Sequence, residues 1–508
     1  MAGDDYHGVF IIYTGGTIGS LPKDRDDPLS PLVPAELSQV MKRLPNYNER
    51  DSKILIGEQW IRVGAFSWPE PLDSSNITLS DWKEMARVIK ENYDEYEGFV
   101  ILHGTDTLAY TASALAFMLE NLGKPVIVTG SQLPIGRTRS DAVQNLVTSI
   151  EFAAAKSLGA PIIREVCVFF RDELYRGSRT TKLSASSFSA FYSPNFPPLA
   201  RAGEHLVLTH RMPVDQSAHI LRVVESLDAN VASLDIFPGM NPALLKNILG
   251  TKDLRGVVLQ TFGTGNAPTT DAFLNTIAEA VDSGVLIVDV TQCRSGEVEL
   301  GLYDVSAGLL ARGVVSGMDM TIEAALTKML VVLGSESDVE KAGDRMQLNL
   351  KGEQRQSIYN LHFPAGEIGD DERPVSVQPK RPMVEGLERY SLNKQLDRGL
   401  FRMMGVETTD NRKGRIEFKA YLDLPEANES TSEEGNQRFL GKTSKPYRGT
   451  DESVFFTVTD QVRQLVDNRH DNIITIVPLG MPFRWKKLNV AFYCNDGDPS
   501  FRSSDIGG

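Results

Sequence analysis

The chain has 508 residues, of which 41% are hydrophobic and 24% are charged, and its formal net charge is −14 at pH 7. This length is too great for a single hydrophobic core and predicts about two to four domains of a globular protein. The acidic balance, without a long Lys/Arg block, argues against general binding to nucleic acid or to anionic membranes.

The cysteines and the start of the chain indicate a compartment. Three scattered cysteines are too few for a disulfide framework or a zinc site: Cys167, Cys293 and Cys494. No run approaches the ~20 apolar residues of a membrane span. The acidic start MAGDDYHGVF lacks the basic region of a secretory signal. We therefore expect a cytoplasmic protein.

The first unusual stretch is TGGT, at residues 14–17, directly after the apolar run 9–13. The run is typical of a short buried strand. Two adjacent glycines, Gly15 and Gly16, allow positive φ and let the backbone approach a bound group closely. Thr17 at such a turn can present its hydroxyl at the end of a sheet. On these residues alone, a tight turn without function remains the simpler interpretation.

Strand-like and helical segments alternate through the first third of the chain. GFVIL (98–102), PVIVTG (125–130) and VCVFF (166–170) are typical of buried strands. Residues 80–96 and 106–123 have helical spacing, with Ser80 as the expected N-cap and Gly123 just after a helix. The alternation predicts a parallel, doubly wound sheet, whose active site lies beyond the strand C-termini, where TGGT falls.

Two further stretches carry polar groups at predicted strand ends. HGTD (103–106) supplies the Thr105 hydroxyl and the Asp106 carboxylate, and free N–H groups at the following helix start suit an anion. Simple helix capping is the alternative. LYRGSRTTK (174–182) ends in Lys182, which can accept a proton when its pKa is lowered. His103 is an alternative base, although a buried structural role is favoured.

Composition divides the chain into five segments. We expect a first α/β domain at 1–202, a connection at 203–230, a second α/β domain at 231–362, a Pro-rich and charged linker at 363–386, and a β-rich domain at 387–508. Alternating segments such as RIEFKAYLDL (415–424) and KLNVAFY (487–493) predict mostly antiparallel strands in the last domain. Separate cores predict separate unfolding.

Five segments, in order over about residues 6–355, resemble the type I, cytoplasmic L-asparaginases. They are YTGGTIG, GFVILHGTDTLAYTASALAFMLENLGKPVIVTGSQ, LYRGSRTTK, TFGTGNAP and SGMDMTIEAALTK. The resemblance implies two doubly wound α/β domains of the asparaginase type, here followed by a mostly β domain. It also implies a homodimer or homotetramer that hydrolyses L-asparagine to L-aspartate and ammonia without a metal or cofactor.

The same resemblance implies roles for individual residues. Thr17 is then the nucleophile that forms an acyl-enzyme, and a second catalytic group comprises Thr105, Asp106 and Lys182. The implied substrate-binding residues follow the family's motifs: Gly16, Asp73, Ser74, Ser75 and Gly104. Bacterial members carry a tyrosine in the loop after TGGT, which is absent from LPKDRDDPLSPLVP, so Tyr303 in GLYDVSAG is expected to replace it.

Gln260 stands where bacterial members use an arginine to bind allosteric asparagine, so the resemblance does not extend to that regulation.

Three alternatives to an asparaginase remain open. A glutaminase/asparaginase of mixed specificity differs only by one substrate methylene. The asparaginase-like subunit of the tRNA-dependent amidotransferase has an extra domain before TGGT, whereas TGGT begins here at residue 14. An amino-acid sensor on an inactive scaffold is disfavoured by the complete set of motifs.

Overall fold

The computed structural model describes residues 8–24, 30–157, 160–209, 220–300, 304–369, 373–379, 396–408, 415–434, 436–446, 452–458 and 473–495. Within these ranges the chain forms two α/β units and a pair of antiparallel sheets. No helix in the described ranges is long and apolar enough to cross a membrane.

The first unit is built on a ten-stranded sheet, which contains the segments that precede the TGGT and HGTD turns. Its strands, in spatial order, are Leu206–Leu208, Ala200–Ala202, Glu173–Arg176, Val166–Phe170, Val126–Thr129, Gly98–Leu102, Gly8–Gly15, Gln59–Leu72, Lys53–Ile56 and Tyr47–Asn48. The five strands from Val166–Phe170 to Gln59–Leu72 are parallel, and the outer ones are antiparallel. The parallel centre confirms the sheet predicted from the alternating segments.

Helices cover both faces of this sheet, and an apolar core lies under each face. They are Leu37–Met41, Leu79–Glu91, Leu108–Met118 and Ala142–Ala154. The expected N-cap Ser80 is wrong, because Thr78 caps that helix in a capping box with Asp81. The expected end at Gly123 is also wrong, because the chain leaves the helix after Met118 to pair Leu119–Glu120 with Arg222–Val223.

Short elements complete the first unit. Three turns of 3₁₀ helix lie at Thr17–Gly19, Ser74–Asn76 and Gly177–Arg179. Small antiparallel pairs join Ser20–Pro22 to Leu32–Pro34, Lys156–Ser157 to Ala160–Pro161, and Thr181–Lys182 to Phe191–Tyr192. The pair that contains Lys182 lies beyond the main sheet, which lets this side chain reach the HGTD turn.

The second unit has a four-stranded parallel sheet, in the order Val231–Asp235, Gly256–Thr261, Leu286–Thr291 and Val315–Ser316. Its described helices are Pro242–Leu249, Asp271–Asp282, Asp304–Ala311, Ile322–Ser335 and Val339–Gln347. Leu330 and Val331 pack into the same core as the helix Leu108–Met118 of the first unit. The two α/β units therefore share buried apolar surface.

The last part of the chain forms two antiparallel sheets around one apolar core. The larger sheet contains Gln356–Phe363, Lys487–Asn495, Leu396–Thr408, Phe483–Trp485, Gly366–Ile368 and Glu452–Thr457. The smaller sheet contains Val375–Val377, Ile474–Pro478, Arg415–Leu422 and Phe439–Pro446. We refer to the two sheets together as the β module.

The β module begins earlier than the sequence predicts. The strand Gln356–Phe363 pairs along its whole length with Lys487–Asn495, the last described strand. The expected linker 363–386 contains the paired strands Gly366–Ile368 and Val375–Val377. In the described part of this segment, proline and charged residues separate very short strands, so composition conceals the pairing. Residues 370–372 and 380–386 of the expected linker lie outside the described residues. The remaining domain boundaries stay predictions.

One face of the larger sheet packs against the second α/β unit. Met318 forms a small buried cluster with residues of the sheet: Ile358, Leu400, Ala491 and Tyr493. Beside this cluster, Asp344 accepts hydrogen bonds from Asn360 Nδ2 at 2.9 Å and from the His362 ring at 2.9 Å. The β module therefore has an apolar and polar interface with the α/β part.

Candidate active site

The TGGT turn follows directly from the strand Gly8–Gly15. Gly15 and Gly16 have φ values of 122° and 81°, in the region that favours glycine. A Cβ added to Gly16 would lie 2.5 Å from Gly104 Cα, and one added to Gly15 would lie 2.4 Å from the backbone oxygen of Leu72. The glycine pair therefore lets the TGGT and HGTD turns meet backbone to backbone.

The two threonines of TGGT have different surroundings. Thr14 is buried and its Oγ1 donates to the carbonyl oxygen of Leu102 at 3.0 Å, which ties the turn to the neighbouring strand. Thr17 begins a turn of 3₁₀ helix and is partly exposed. Its hydroxyl makes no hydrogen bond within the described part of the chain, so it is free to meet a bound molecule.

A lysine, a hydroxyl and a carboxylate meet at the HGTD turn. Lys182 Nζ donates to Thr105 Oγ1 at 2.9 Å and to Asp106 Oδ1 at 2.7 Å. The side chain of Lys182 is 18% exposed and that of Asp106 is 66% exposed, whereas Thr105 is buried. The structure thus brings together the three residues that the sequence placed in two distant motifs.

The segment Asp73–Ser75 lies against the same turn. The side chain of Asp73 accepts a hydrogen bond from the Ser75 backbone N–H at 2.8 Å, and this bond holds the pKa of Asp73 below its usual value. Thr107 Oγ1 donates to the backbone oxygen of Ser74 at 2.7 Å. A Cβ on Gly104 would lie 2.5 Å from Ser74 Oγ, so only glycine allows this approach.

His103 is fully buried and both of its ring nitrogens are occupied. Nδ1 lies 2.7 Å from the backbone oxygen of Gly104, which can only accept, so Nδ1 carries the proton and donates to it. Nε2 of the neutral ring then accepts from the Thr111 hydroxyl at 2.9 Å, and that hydroxyl itself accepts from Trp82 Nε1 at 2.9 Å. Burial lowers the pKa of His103 to about 4. The neutral ring supports the HGTD turn, as the sequence favoured.

Two buried carboxylates that the sequence analysis did not single out support the segment 177–182. Arg179 Nη1 donates to Asp319 Oδ2 at 2.7 Å, with both side chains buried. Thr181 Oγ1 donates to Glu323 Oε1 at 2.7 Å, and burial raises the pKa of Glu323. The charged residues inside SRTTK and MDMTIE could have drawn attention, because a charged residue that is buried must find a partner. The sequence does not show that these two segments, about 140 residues apart, provide partners for each other.

The other expected residues have different outcomes. Tyr303 lies outside the described residues, so its contribution stays a prediction. Gln260 and Lys182 line the same cavity of about 200 Å³, and Gln260 Nε2 hydrogen-bonds to Asp235. Among the residues that the structure describes, no group of three or more His, Cys, Asp or Glu side chains is arranged to hold a metal.

Comparison with known proteins assigns the α/β part to a family. Residues 8–214 match the family described as Asparaginase, N-terminal, and residues 230–346 match Glutaminase/Asparaginase C-terminal domain. L-asparaginase 1 of Escherichia coli strain K12 is 41% identical over 345 residues, which cover 68% of this chain and 97% of that protein.

Two more comparisons extend this similarity. The 60 kDa lysophospholipase of Homo sapiens is 36% identical over 397 residues, covering 74% of this chain and 64% of that protein. The crystal structure of L-asparaginase I from Vibrio cholerae has a TM-score of 0.60 at 38% identity and covers 69% of this chain and 99% of that chain.

The chain belongs to the asparaginase family, and its α/β units have the asparaginase-type fold. The β module is an additional region beyond the two family domains, which end at residue 346. The family assignment supports an amidohydrolase enzyme.

Proposed function

We propose that this protein is an L-asparaginase, which converts L-asparagine to L-aspartate and ammonia through a covalent intermediate on Thr17. The observation that carries the proposal is the contact between the TGGT and HGTD turns at Gly16 and Gly104. This contact brings the Thr17 hydroxyl, which has no hydrogen-bond partner among the described residues, to the hydrogen-bonded group of Lys182, Thr105 and Asp106.

The proposed reaction has two stages. Thr17 Oγ1 attacks the carbon of the substrate's side-chain amide, and its proton passes to the group formed by Lys182, Thr105 and Asp106. A proton delivered to the amide nitrogen then lets ammonia leave, and an ester forms between Thr17 and the aspartyl group. Water attacks this ester, releases aspartate and restores the Thr17 hydroxyl.

Backbone N–H groups at the turns are proposed to stabilise the negative charge on the reacting carbonyl oxygen. The N–H of Gly16 donates to the backbone oxygen of Leu72 at 3.2 Å and is therefore engaged. The N–H groups of Thr17 and Thr105, each following a glycine of the contact, are the proposed donors. No metal or cofactor has a role in this scheme.

The substrate's α-amino and α-carboxylate groups are assigned to the segment Asp73–Ser75. Asp73 carries a negative charge that its hydrogen bond with Ser75 favours, which suits an α-ammonium group. Ser74 and Gly104 lie in contact and form the proposed wall of the substrate pocket. The resemblance to the cytoplasmic asparaginases implies both a location and an assembly. We therefore also infer a cytoplasmic homodimer or homotetramer.

A side-by-side assay tests the proposal. Ammonia release is measured with L-asparagine and L-glutamine, and fatty-acid release is measured with a lysophospholipid because one relative is named a lysophospholipase. We expect kcat/KM to favour asparagine over glutamine by about tenfold or more, which is the discrimination that one methylene in a substrate pocket can give. Equal rates would support the mixed-specificity alternative. Hydrolysis of the lysophospholipid alone would refute the proposal.

A further inference from the structure

A cavity of about 220 Å³ lies between the second α/β unit and the larger sheet of the β module. Because one water occupies about 30 Å³ of liquid, this space would hold roughly seven waters or one small organic molecule. The cavity lies at the interface with the region outside the two family domains. It is also separate from the residues assigned to catalysis, none of which lines it.

Arg402 supplies a buried positive charge at this cavity. The residue is 5% exposed, its Nη2 donates to the Tyr493 hydroxyl at 2.5 Å, and its Nε is buried without a hydrogen bond. No carboxylate among the described residues forms an ion pair with it. A buried guanidinium without an anion is costly, so the site favours a ligand that carries a negative charge.

Asn489 supplies an acceptor beside this charge. Asn489 lies opposite Arg402 on the neighbouring strand, and its buried Oδ1 has no hydrogen-bond partner within the described residues. Its Nδ2 donates to Asn360 Oδ1 at 3.2 Å. Lys487 is two residues from Asn489 on the same face and also lines the cavity. A carboxylate next to an N–H donor would satisfy both Arg402 and Asn489.

The opposite wall of the cavity is apolar. It is formed by residues of the second α/β unit: Val281, Val285, Leu310, Val314 and Val315. The two carboxylates of the lining, Glu340 and Asp344, both contact His362, and Asp344 also accepts from Asn360. We propose that this cavity binds a small α-amino acid with an apolar side chain, its carboxylate on Arg402 and its ammonium group at Asn489.

Calorimetric titration of the full-length protein with three matched probes tests this proposal. L-valine carries the carboxylate, the ammonium group and the apolar side chain. Isovalerate lacks the ammonium group, and isobutylamine lacks the carboxylate. We expect saturable binding of L-valine, weaker binding of isovalerate and no binding of isobutylamine. Isovalerate lacks the hydrogen bonds of the ammonium group, so its binding should be about 10- to 100-fold weaker than that of L-valine.

The variant Arg402→Met removes the charge and keeps an apolar side chain. It should abolish L-valine binding and, because a buried unpaired charge is removed, leave the Tm without ligand equal or higher. The control Arg415→Met removes an exposed arginine of the smaller sheet that hydrogen-bonds Ser444, and it should bind L-valine normally. Unchanged binding to Arg402→Met, equal binding of the three probes, or no saturable signal up to about 10 mM would overturn the proposal.

Discussion

Thr14 and Thr17 occupy the same four-residue motif, but within the described ranges the Thr14 hydroxyl is hydrogen-bonded, to Leu102, and the Thr17 hydroxyl is not. Thr17→Ala should therefore leave the Tm nearly unchanged and lower kcat by at least about a thousandfold, as removal of a covalent nucleophile does. Ammonia release and thermal melting measure both quantities. The matched control Thr251→Ala, at an exposed position of the second α/β unit, should retain full activity. Near-normal turnover by well-folded Thr17→Ala would contradict the assigned nucleophile.

Lys182 and Thr105 share a direct hydrogen bond of 2.9 Å, so their contributions to catalysis should be coupled. We expect Lys182→Met and Thr105→Val each to lower kcat strongly, and the double variant to lose much less than the product of the two losses. Steady-state kinetics of the four proteins provides the cycle. Losses that simply multiply would show that the two residues act independently.

His103 should make stability depend on pH. Its pKa is about 4 in the folded protein, below the ordinary value of 6.5, so the neutral ring is favoured by folding. The resulting stability is complete above pH 6.5 and is lost as pH falls toward 4, by an amount on the order of 3 kcal/mol.

Comparison of the wild type with His103→Gln isolates this titration from other groups. Burial raises the pKa of Asp289 to about 8, so its contribution to folding stability falls as pH rises, opposite to that of His103. This contribution is the same in both proteins and cancels in the comparison. Urea unfolding from pH 4 to pH 7 should show the stability difference between wild type and variant growing with pH. A constant difference would mean that His103 does not titrate as assigned.

At the scale of elements, the Gly16–Gly104 contact should be intolerant of any side chain. Gly16→Ala places a Cβ 2.5 Å from Gly104 and in a strained φ of 81°, so we expect loss of activity and a cost of about 2 kcal/mol or more in stability. Gly57→Ala is the matched control, because Gly57 also has positive φ but open space around it. Its cost should be about 1 kcal/mol, with normal activity. Equal effects of both changes would show that backbone strain, not the contact, matters.

Elements with a strong local signal were predictable from the sequence. GFVIL and VCVFF are uninterrupted apolar runs, and their strands match Gly98–Leu102 and Val166–Phe170. Elements defined by their partners were not predictable. Gly366–Ile368 has three residues and becomes a strand only by pairing with Phe483–Trp485.

The same distinction applies to the candidate site. TGGT, HGTD and Lys182 were visible because unusual residues follow apolar runs at strand ends. The Thr181–Glu323 hydrogen bond was not visible, because its two residues lie in different α/β units and 142 positions apart. Which buried carboxylate supports which motif depends on how the units pack, and the sequence of either segment alone does not contain that information.

For the whole molecule, the interface argues against the separate unfolding expected from composition. A chain that ends after Arg355 keeps the buried Lys328–Glu353 ion pair and every described residue that we propose to be catalytic, but it loses the β module. It should expose Met318 and leave Asp344 without Asn360 and His362. We expect its Tm to fall by roughly 5 °C or more, with increased aggregation.

Activity per folded molecule of this truncated chain should stay within about threefold of the full-length value, since the β module supplies no proposed catalytic residue. Turnover, light scattering and melting curves of the two proteins provide the test. A truncated chain with an unchanged Tm would show that the β module is an independent attachment. Loss of turnover in a folded chain would show that the module contributes to the active site.

The pairing of Gln356–Phe363 with Lys487–Asn495 sets a delay during synthesis on the ribosome. The first of these strands emerges about 130 residues before its partner, and at about 5 to 20 residues per second this takes roughly 7 to 26 s. During that interval the second α/β unit is already complete while its interface with the β module is uncovered. Chaperone demand of the nascent enzyme should therefore be highest just before translation ends, and slowing translation within the last third of the gene should increase aggregation of newly made chains.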